Sequence, residues 1–109
     1  MAITNQDFTL YVGTEQPIVF TVEDAVTLEN CTNIIWRMGY GSHPDTQILE
    51  VEMDDMDVDG NEFTVTLLDS QTSGLKPGTY YHEARVIDEN DKPRVVTTGA
   101  VTVIDSLTV

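Results

Sequence analysis

The chain has 109 residues, of which 40% are hydrophobic, and it carries 19 Asp and Glu residues against five Lys and Arg, a net charge of −14. This length suits one domain with one hydrophobic core, and we expect residues 1–109 to form it. The charge excludes nucleic acid and anionic membrane surfaces as expected partners, because both are bound mainly through Lys and Arg.

The composition also indicates the fold class and the cellular compartment. The apolar residues are mostly Val, Ile, Leu and aromatics, and Thr is abundant, which favours strands over helices. The single cysteine, Cys31, cannot form an intramolecular disulfide. The N-terminus has no signal-peptide pattern and no apolar run approaches 20 residues, so we expect synthesis and folding in the cytoplasm.

Apolar residues alternate with period two through the first half of the chain, a pattern typical of half-buried strands. The strands predicted from it cover Asp7–Val12, Pro17–Glu23, Asn33–Tyr40 and Gln47–Met53. The segment Asp24–Thr32 is irregular, and Gly39–Asp45 is a predicted loop. Trp36 stands in mid-strand among apolar neighbours, so we expect it in the core.

The second half continues the alternation. Glu62–Leu68 is predicted to form a hairpin with Gln47–Met53 across an acidic turn at Asp54–Asn61. The remaining predicted elements are a helical turn at Asp69–Leu75, a tight turn at Lys76-Pro77-Gly78, strands at Thr79–Ile87 and Arg94–Ile104, and a bulge or change of direction at Gly99.

These elements amount to about seven or eight strands at regular spacing with no convincing helix. Such a pattern predicts an all-β, immunoglobulin-like antiparallel sandwich, with a small closed barrel as the alternative.

A run of motifs in the second half resembles a known family. The motifs are Leu67-Leu68-Asp69, Leu75-Lys76-Pro77-Gly78-Thr79-Tyr80-Tyr81, Glu83-Ala84-Arg85-Val86, Asp88-Glu89-Asn90-Asp91-Lys92 and Thr98-Gly99-Ala100-Val101-Thr102-Val103. Their order resembles that in the immunoglobulin-like N-terminal domain of tailed-phage baseplate upper proteins and of small phage-encoded relatives. The opening strands and Trp36 fit the same pattern.

The resemblance implies roles for particular residues and a function. Trp36, Pro77 and Gly78 are expected to be core and turn residues, and either Tyr80 or Tyr81 is expected to form a tyrosine corner. Baseplate upper proteins continue into further domains, whereas this sequence ends at Val109. The resemblance therefore implies a phage virion protein built from this module alone.

The segment Asp55-Met56-Asp57-Val58-Asp59-Gly60 begins like an EF-hand calcium loop, with carboxylates at positions 1, 3 and 5 and Gly at position 6. The bidentate Glu of position 12 is missing, because Thr66 stands there. Two interpretations follow: a solvated acidic turn, or a weak calcium site formed by Asp55, Asp57 and Asp59. No other cofactor is expected.

Catalytic motifs are not evident. The two histidines, His43 and His82, form no recognisable pattern with Cys31, and no glycine-rich phosphate loop occurs. Arg37 and Arg85 fall on strands expected to be neighbours, where they are either paired with carboxylates or anchors of an interface. We therefore expect a binding protein rather than an enzyme.

Two functions fit this sequence. The first is a bacteriophage virion structural protein, binding other virion proteins of the capsid, tail or baseplate in many symmetric copies. It would be made in the host cytoplasm and act either as capsid decoration or as a tail or baseplate adaptor. The alternative is a β-sandwich that binds carbohydrate or the host surface, for which Tyr40 is the candidate contact.

Overall fold

The computed structural model describes residues 3–23, 25–40 and 47–105. The strands in these ranges are β1 (Thr4–Asn5), β2 (Phe8–Tyr11), β3 (Gln16–Thr21), β4 (Asn33–Gly39), β5 (Gln47–Glu52), β6 (Met56–Asp59), β7 (Glu62–Leu67), β8 (Gly78–Ile87) and β9 (Pro93–Ile104). Two short helices, α1 (Ala25–Glu29) and α2 (Asp69–Thr72), connect them. No helix in these ranges is long and apolar enough to cross a membrane.

The strands form two sheets packed face to face, which confirms the predicted immunoglobulin-like sandwich. The larger sheet has the order β1-β9-β8-β4-β5, with β2 also pairing with β9, and the smaller sheet has the order β3-β7-β6. Most pairs are antiparallel, but β1 and β2 both run parallel to β9. Because β1 and β6 are only two and four residues long, their alternation is too brief to be recognised in the sequence.

The predicted hairpin between Gln47–Met53 and Glu62–Leu68 is wrong. β5 pairs with β4 in the larger sheet, whereas β7 pairs with β3 and β6 in the smaller one. A 3-10 turn at Met53–Asp55 carries the chain from one sheet to the other. The acidic segment predicted as a turn contains β6, and the true hairpin turns at Gly60, which has a φ of 61°.

The core lies between the sheets and is contributed by the alternate residues that the pattern predicted. Trp36 is fully buried and its ring stacks on Phe20 at a centroid distance of 6.1 Å. Along β8 the buried residues are Tyr80, His82, Ala84 and Val86. Full burial of a large apolar side chain contributes roughly 1.5–3 kcal/mol, so this layer is the main source of stability.

Gly99 has a different role from the predicted bulge. The register between β8 and β9 skips Val96, so the irregularity lies there. A Cβ atom on Gly99 would come within 2.2 Å of the Gln6 carbonyl oxygen and 2.8 Å of His82 Nε2. Glycine is therefore required at this position because the backbone between β1 and β2 crosses directly over it.

Replacing Gly99 with alanine is predicted to lower the free energy of unfolding by about 1–3 kcal/mol, the usual cost of overpacking. Gly74→Ala is the matched control, since a Cβ there meets nothing within 4 Å. Urea denaturation of both variants measures the difference. Equal stability of the two would contradict the close approach at Gln6.

Candidate functional site

The outward-facing side chains of β2, β9, β8, β4 and β5 form the outer face of the larger sheet. At its centre Tyr81 lies between Gly39 of β4 and Ala100 of β9. Both neighbours are small, so the Tyr81 ring stands above them and is 50% exposed. Ile48 lies on the same face beside Gly39, where the β4–β5 register is irregular, and is also exposed. The centre of this face is therefore apolar and offers an aromatic side chain to a partner.

A row of opposite charges adjoins this centre. Arg37 Nε donates to Glu50 Oε1 at 2.8 Å across the β4–β5 pair. Glu83, opposite Arg37 on β8, accepts from Arg85 Nε at 3.1 Å. Exposed pairs of this kind contribute about 0–1 kcal/mol each to stability. Their larger effect is local neutrality, because two arginines here face Glu50, Glu52 and Glu83.

The opposite end of the outer face is threonine-rich and apolar. Thr79 of β8 lies beside Thr102 of β9, and Thr102 lies beside Thr9 of β2. Tyr11 and Ile104 form the next pair, and both are exposed. The outer face thus combines an apolar centre, an apolar end and a paired charge row.

The smaller sheet presents a different surface. Its outward positions include Thr21, Thr64, Asp57, Asp59 and Glu62, together with the exposed Val19. No Lys or Arg occurs in β3, β6 or β7, whereas Asp57, Asp59 and Glu62 lie on this surface. The molecule is therefore strongly acidic on this side and close to neutral on the outer face of the larger sheet.

The three carboxylates proposed for calcium do not converge. Asp55 belongs to the 3-10 turn, whereas Asp57 and Asp59 lie on extended β6 opposite Thr64 and Glu62. Among the residues that the structure describes, no group of three or more His, Cys, Asp or Glu side chains is arranged to hold a metal.

His82 is a buried core residue, with 4% of its surface exposed. Trp36 Nε1 donates to its Nδ1 at 3.3 Å, and its Nε2 faces the Gln6 carbonyl oxygen within hydrogen-bond distance. The two partners together require the neutral tautomer that carries its proton on Nε2. In this geometry neither ring nitrogen is directed to solvent for proton transfer.

Burial lowers the pKa of His82 below its usual value of 6.5, although the Gln6 carbonyl and the charge of Asp7 act in the opposite direction. A second proton would also sit on Nδ1, where it would meet the Trp36 N–H. His82 therefore stabilises the fold only in its neutral form.

Stability is predicted to fall as the pH drops below about 6.5, because the unfolded chain then protonates His82 while the folded chain does not. The loss ends once the pH passes below the lowered pKa of the folded state. His82→Gln keeps a donor and an acceptor without titrating, so its free energy of unfolding is expected to change less over this range. Urea denaturation between pH 7.5 and 5.5 compares the two proteins, and the same slope in both would rule out this role.

The tyrosine corner is formed by Tyr80, whose hydroxyl donates to the Lys76 carbonyl at 2.6 Å. Pro77 is exposed in the preceding turn. Gly78 begins β8 with a φ of 152°, a backbone angle that residues with a side chain rarely adopt. Tyr81, one residue later, points to the opposite side of the sheet. The alternation of β8 thus assigns one tyrosine to the fold and the other to the surface.

Tyr80→Phe is predicted to lower the free energy of unfolding by about 1–2 kcal/mol, because it leaves the Lys76 carbonyl without its donor. Tyr81→Phe is the matched control and is expected to be neutral, since Tyr81 is half exposed. Thermal unfolding measures both. A neutral Tyr80→Phe would show that the corner contributes nothing.

The other residues singled out in the sequence are dispersed. Cys31 is half-buried and its thiol donates to the Leu28 carbonyl, and burial raises the pKa of this thiol. Tyr40 is exposed at one end of the sandwich, where its ring centroid lies 4.9 Å from that of Tyr80. His43 lies outside the described residues. Nothing brings Cys31 and His82 together for catalysis.

Sequence reasoning missed how the outer face is assembled. The register that places Tyr81 between Gly39 and Ala100 joins positions far apart in the chain. The period-two pattern of β8 did place Tyr81 opposite Tyr80, so a surface position was recognisable. The small neighbours that leave its ring exposed could not be recognised from the sequence.

Comparison with known proteins adds little to these observations. No protein-family model matches the sequence, and no curated protein matches it. A solved structure of Clostridium thermocellum CbhA fibronectin(III)-like modules is similar to the chain with a TM-score of 0.49 and 9% sequence identity. The similarity covers 97% of this chain and 93% of that one.

Proposed function

We propose that this chain is a bacteriophage virion structural protein, a protein-binding module that attaches to the capsid or to the tail or baseplate. It acts by contact, not by catalysis. The observation that carries the protein-binding part is the outer face of the larger sheet, which is apolar at its centre and nearly neutral in a chain of charge −14.

The composition of this face supports protein contact. Aromatic residues and Arg are enriched in the cores of interfaces, while unpaired charge is depleted there. Tyr81 is a rigid, half-exposed ring flanked by small residues, which suits insertion into a pocket of a partner. The charge row of Arg37 and Glu83 borders it and gives the contact a defined orientation.

The phage assignment is supported by the sequence resemblance alone. The motifs behind it correspond in the structure to α2, the Tyr80 corner, the Asp88 turn and β9. In that turn Asp88 accepts from the Asn90 and Lys92 backbone N–H groups at 2.9 and 3.0 Å. These features belong to the fold, and the composition of purified particles is the test of the virion role.

The strong acidity fits a protein present in many copies. Mutual repulsion keeps free copies apart in the host cytoplasm until a symmetric assembly of other virion proteins orders them. The same charge disfavours nucleic acid and anionic membranes as partners.

Carbohydrate binding is the weaker candidate. It depended on Tyr40, but one side of that ring packs close to Tyr80 rather than standing free for a sugar. We therefore favour protein contact.

The virion role predicts that the chain is a component of purified particles. Mass spectrometry of gradient-purified virions is expected to detect it at a fixed copy number, and electron microscopy is expected to place it on the capsid, tail or baseplate. Its absence from the particles would overturn the proposal, and binding on a glycan array would favour the alternative.

Within the particle, Tyr81→Arg is predicted to reduce occupancy at least about tenfold, because it puts a charge at the apolar centre of the interface. Val19→Arg adds the same charge at an exposed residue of the other sheet and serves as the control. Quantitative mass spectrometry of particles assembled with each variant measures occupancy. Equal occupancy of the two variants would show that the outer face of the larger sheet is not the binding surface.

A further inference from the structure

One side of the sandwich is closed by glutamine side chains. The Gln6 amide accepts from the Thr21 backbone N–H at 3.0 Å and donates to the Thr21 carbonyl at 3.3 Å. At the other end of β3 the Gln16 amide donates to the Thr9 carbonyl at 2.7 Å and accepts from the Tyr11 backbone N–H. Each amide bonds to an edge strand as a neighbouring peptide group would.

The rest of the β3 edge is protected as well. The backbone groups of Thr21 point to this edge, whereas the backbone N–H of Val22 donates to the Asn61 carbonyl on the other side. Backbone groups alternate in direction along a strand, so those of Val19 and Pro17 also point to the edge. Pro17 has no N–H to offer. An added strand would therefore find little to bond with here.

The opposite side of the sandwich differs. Among the residues that the structure describes, no strand pairs with the outer edge of β5, and β6 ends the smaller sheet on the same side. β5 has six residues against four in β6, so it offers the longer row of backbone donors and acceptors. Alternate residues of β5 direct these groups away from β4.

The core is incompletely covered on this side. Leu49, Met53 and Met56 pack against the core cluster and are only partly buried. Leu49 faces the core from β5, where its neighbour in β4 is the buried Met38. Apolar side chains of an added strand would cover Leu49 and extend the core.

The negative charge of this edge determines which kind of strand could be added to it. Glu50 and Glu52 face outward on β5, and Asp54 follows in the 3-10 turn. Like charges opposite one another destabilise a strand pair, so two copies of this chain are disfavoured at the β5 edge. Arg37 binds Glu50 Oε1 and Asn33 binds Glu52 Oε1 from the β4 side. A strand with Lys or Arg at alternate positions would pair with the second oxygen of each carboxylate.

From these three features we propose that the β5 edge accepts an extended segment of a partner protein by strand addition. The segment alternates basic residues, which pair with Glu50 and Glu52, with apolar residues, which cover Leu49. This mode of recognition takes its affinity from main-chain hydrogen bonds and its specificity from alternate side chains. It does not depend on contact through Tyr81.

A seven-residue peptide alternating lysine and valine is a direct probe. Titrated into the folded protein at low salt, it is expected to shift the backbone amide signals of residues 47–52 in NMR spectra and to slow their hydrogen exchange. A peptide with the same lysines but glycine in place of valine carries the same charge without strand-forming side chains. Equal binding of the two peptides would show that charge attraction alone accounts for binding, and it would overturn the proposal.

Matched variants test the site. Glu50→Gln with Glu52→Gln is expected to weaken peptide binding about fivefold through the loss of two cross-strand charge pairs. Asp57→Asn with Asp59→Asn removes the same charge from β6 and is expected to leave affinity within about twofold. Equal losses in the two double variants, or signal changes centred on residues 56–59, would overturn the assignment to β5, and Tyr81→Arg is expected to leave peptide binding in place.

Discussion

The crossing of the N-terminal strand over Gly99 is the constraint on which the sandwich depends. Gln6 lies at the crossing, and its backbone N–H donates to the Thr98 carbonyl at 2.8 Å. Its carbonyl faces His82 in the core, and its side chain bonds to Thr21 of the other sheet. One residue thus joins both sheets to the buried His82, and only glycine at position 99 leaves room for it.

That junction also explains how a histidine is accommodated in an otherwise apolar core. A buried polar group without partners costs about 1–3 kcal/mol, but His82 has Trp36 on one ring nitrogen and Gln6 on the other. Phe8 and Phe20 lie against the ring at centroid distances of 5.0 and 5.1 Å. The residue links the larger sheet, the N-terminal segment and the aromatic core, and its surroundings give it a structural role.

The two edges of the sandwich differ in how they are protected, and its surfaces differ in charge. The Gln6 and Gln16 amides close the side next to β3, whereas β5 and β6 end the sheets on the acidic side. Between these edges the outer face of the larger sheet is nearly neutral and displays Tyr81. A protein of this charge has few places where another protein can pack without facing repulsion, so charge distribution restricts contact to particular surfaces.

The sequence by itself determined the sandwich class, most strands and the two faces of each, because side chains alternate along a strand whatever its partner is. It also placed Trp36 in the core, and the family resemblance of its motifs limited the tyrosine corner to Tyr80 or Tyr81. Only the tertiary structure decided which strands pair, because pairing joins residues distant in the chain. It moved β5 and β7 into different sheets, extended the Asp57 segment into a strand, explained Gly99 by the approach of Gln6, and set Tyr81 between two small neighbours.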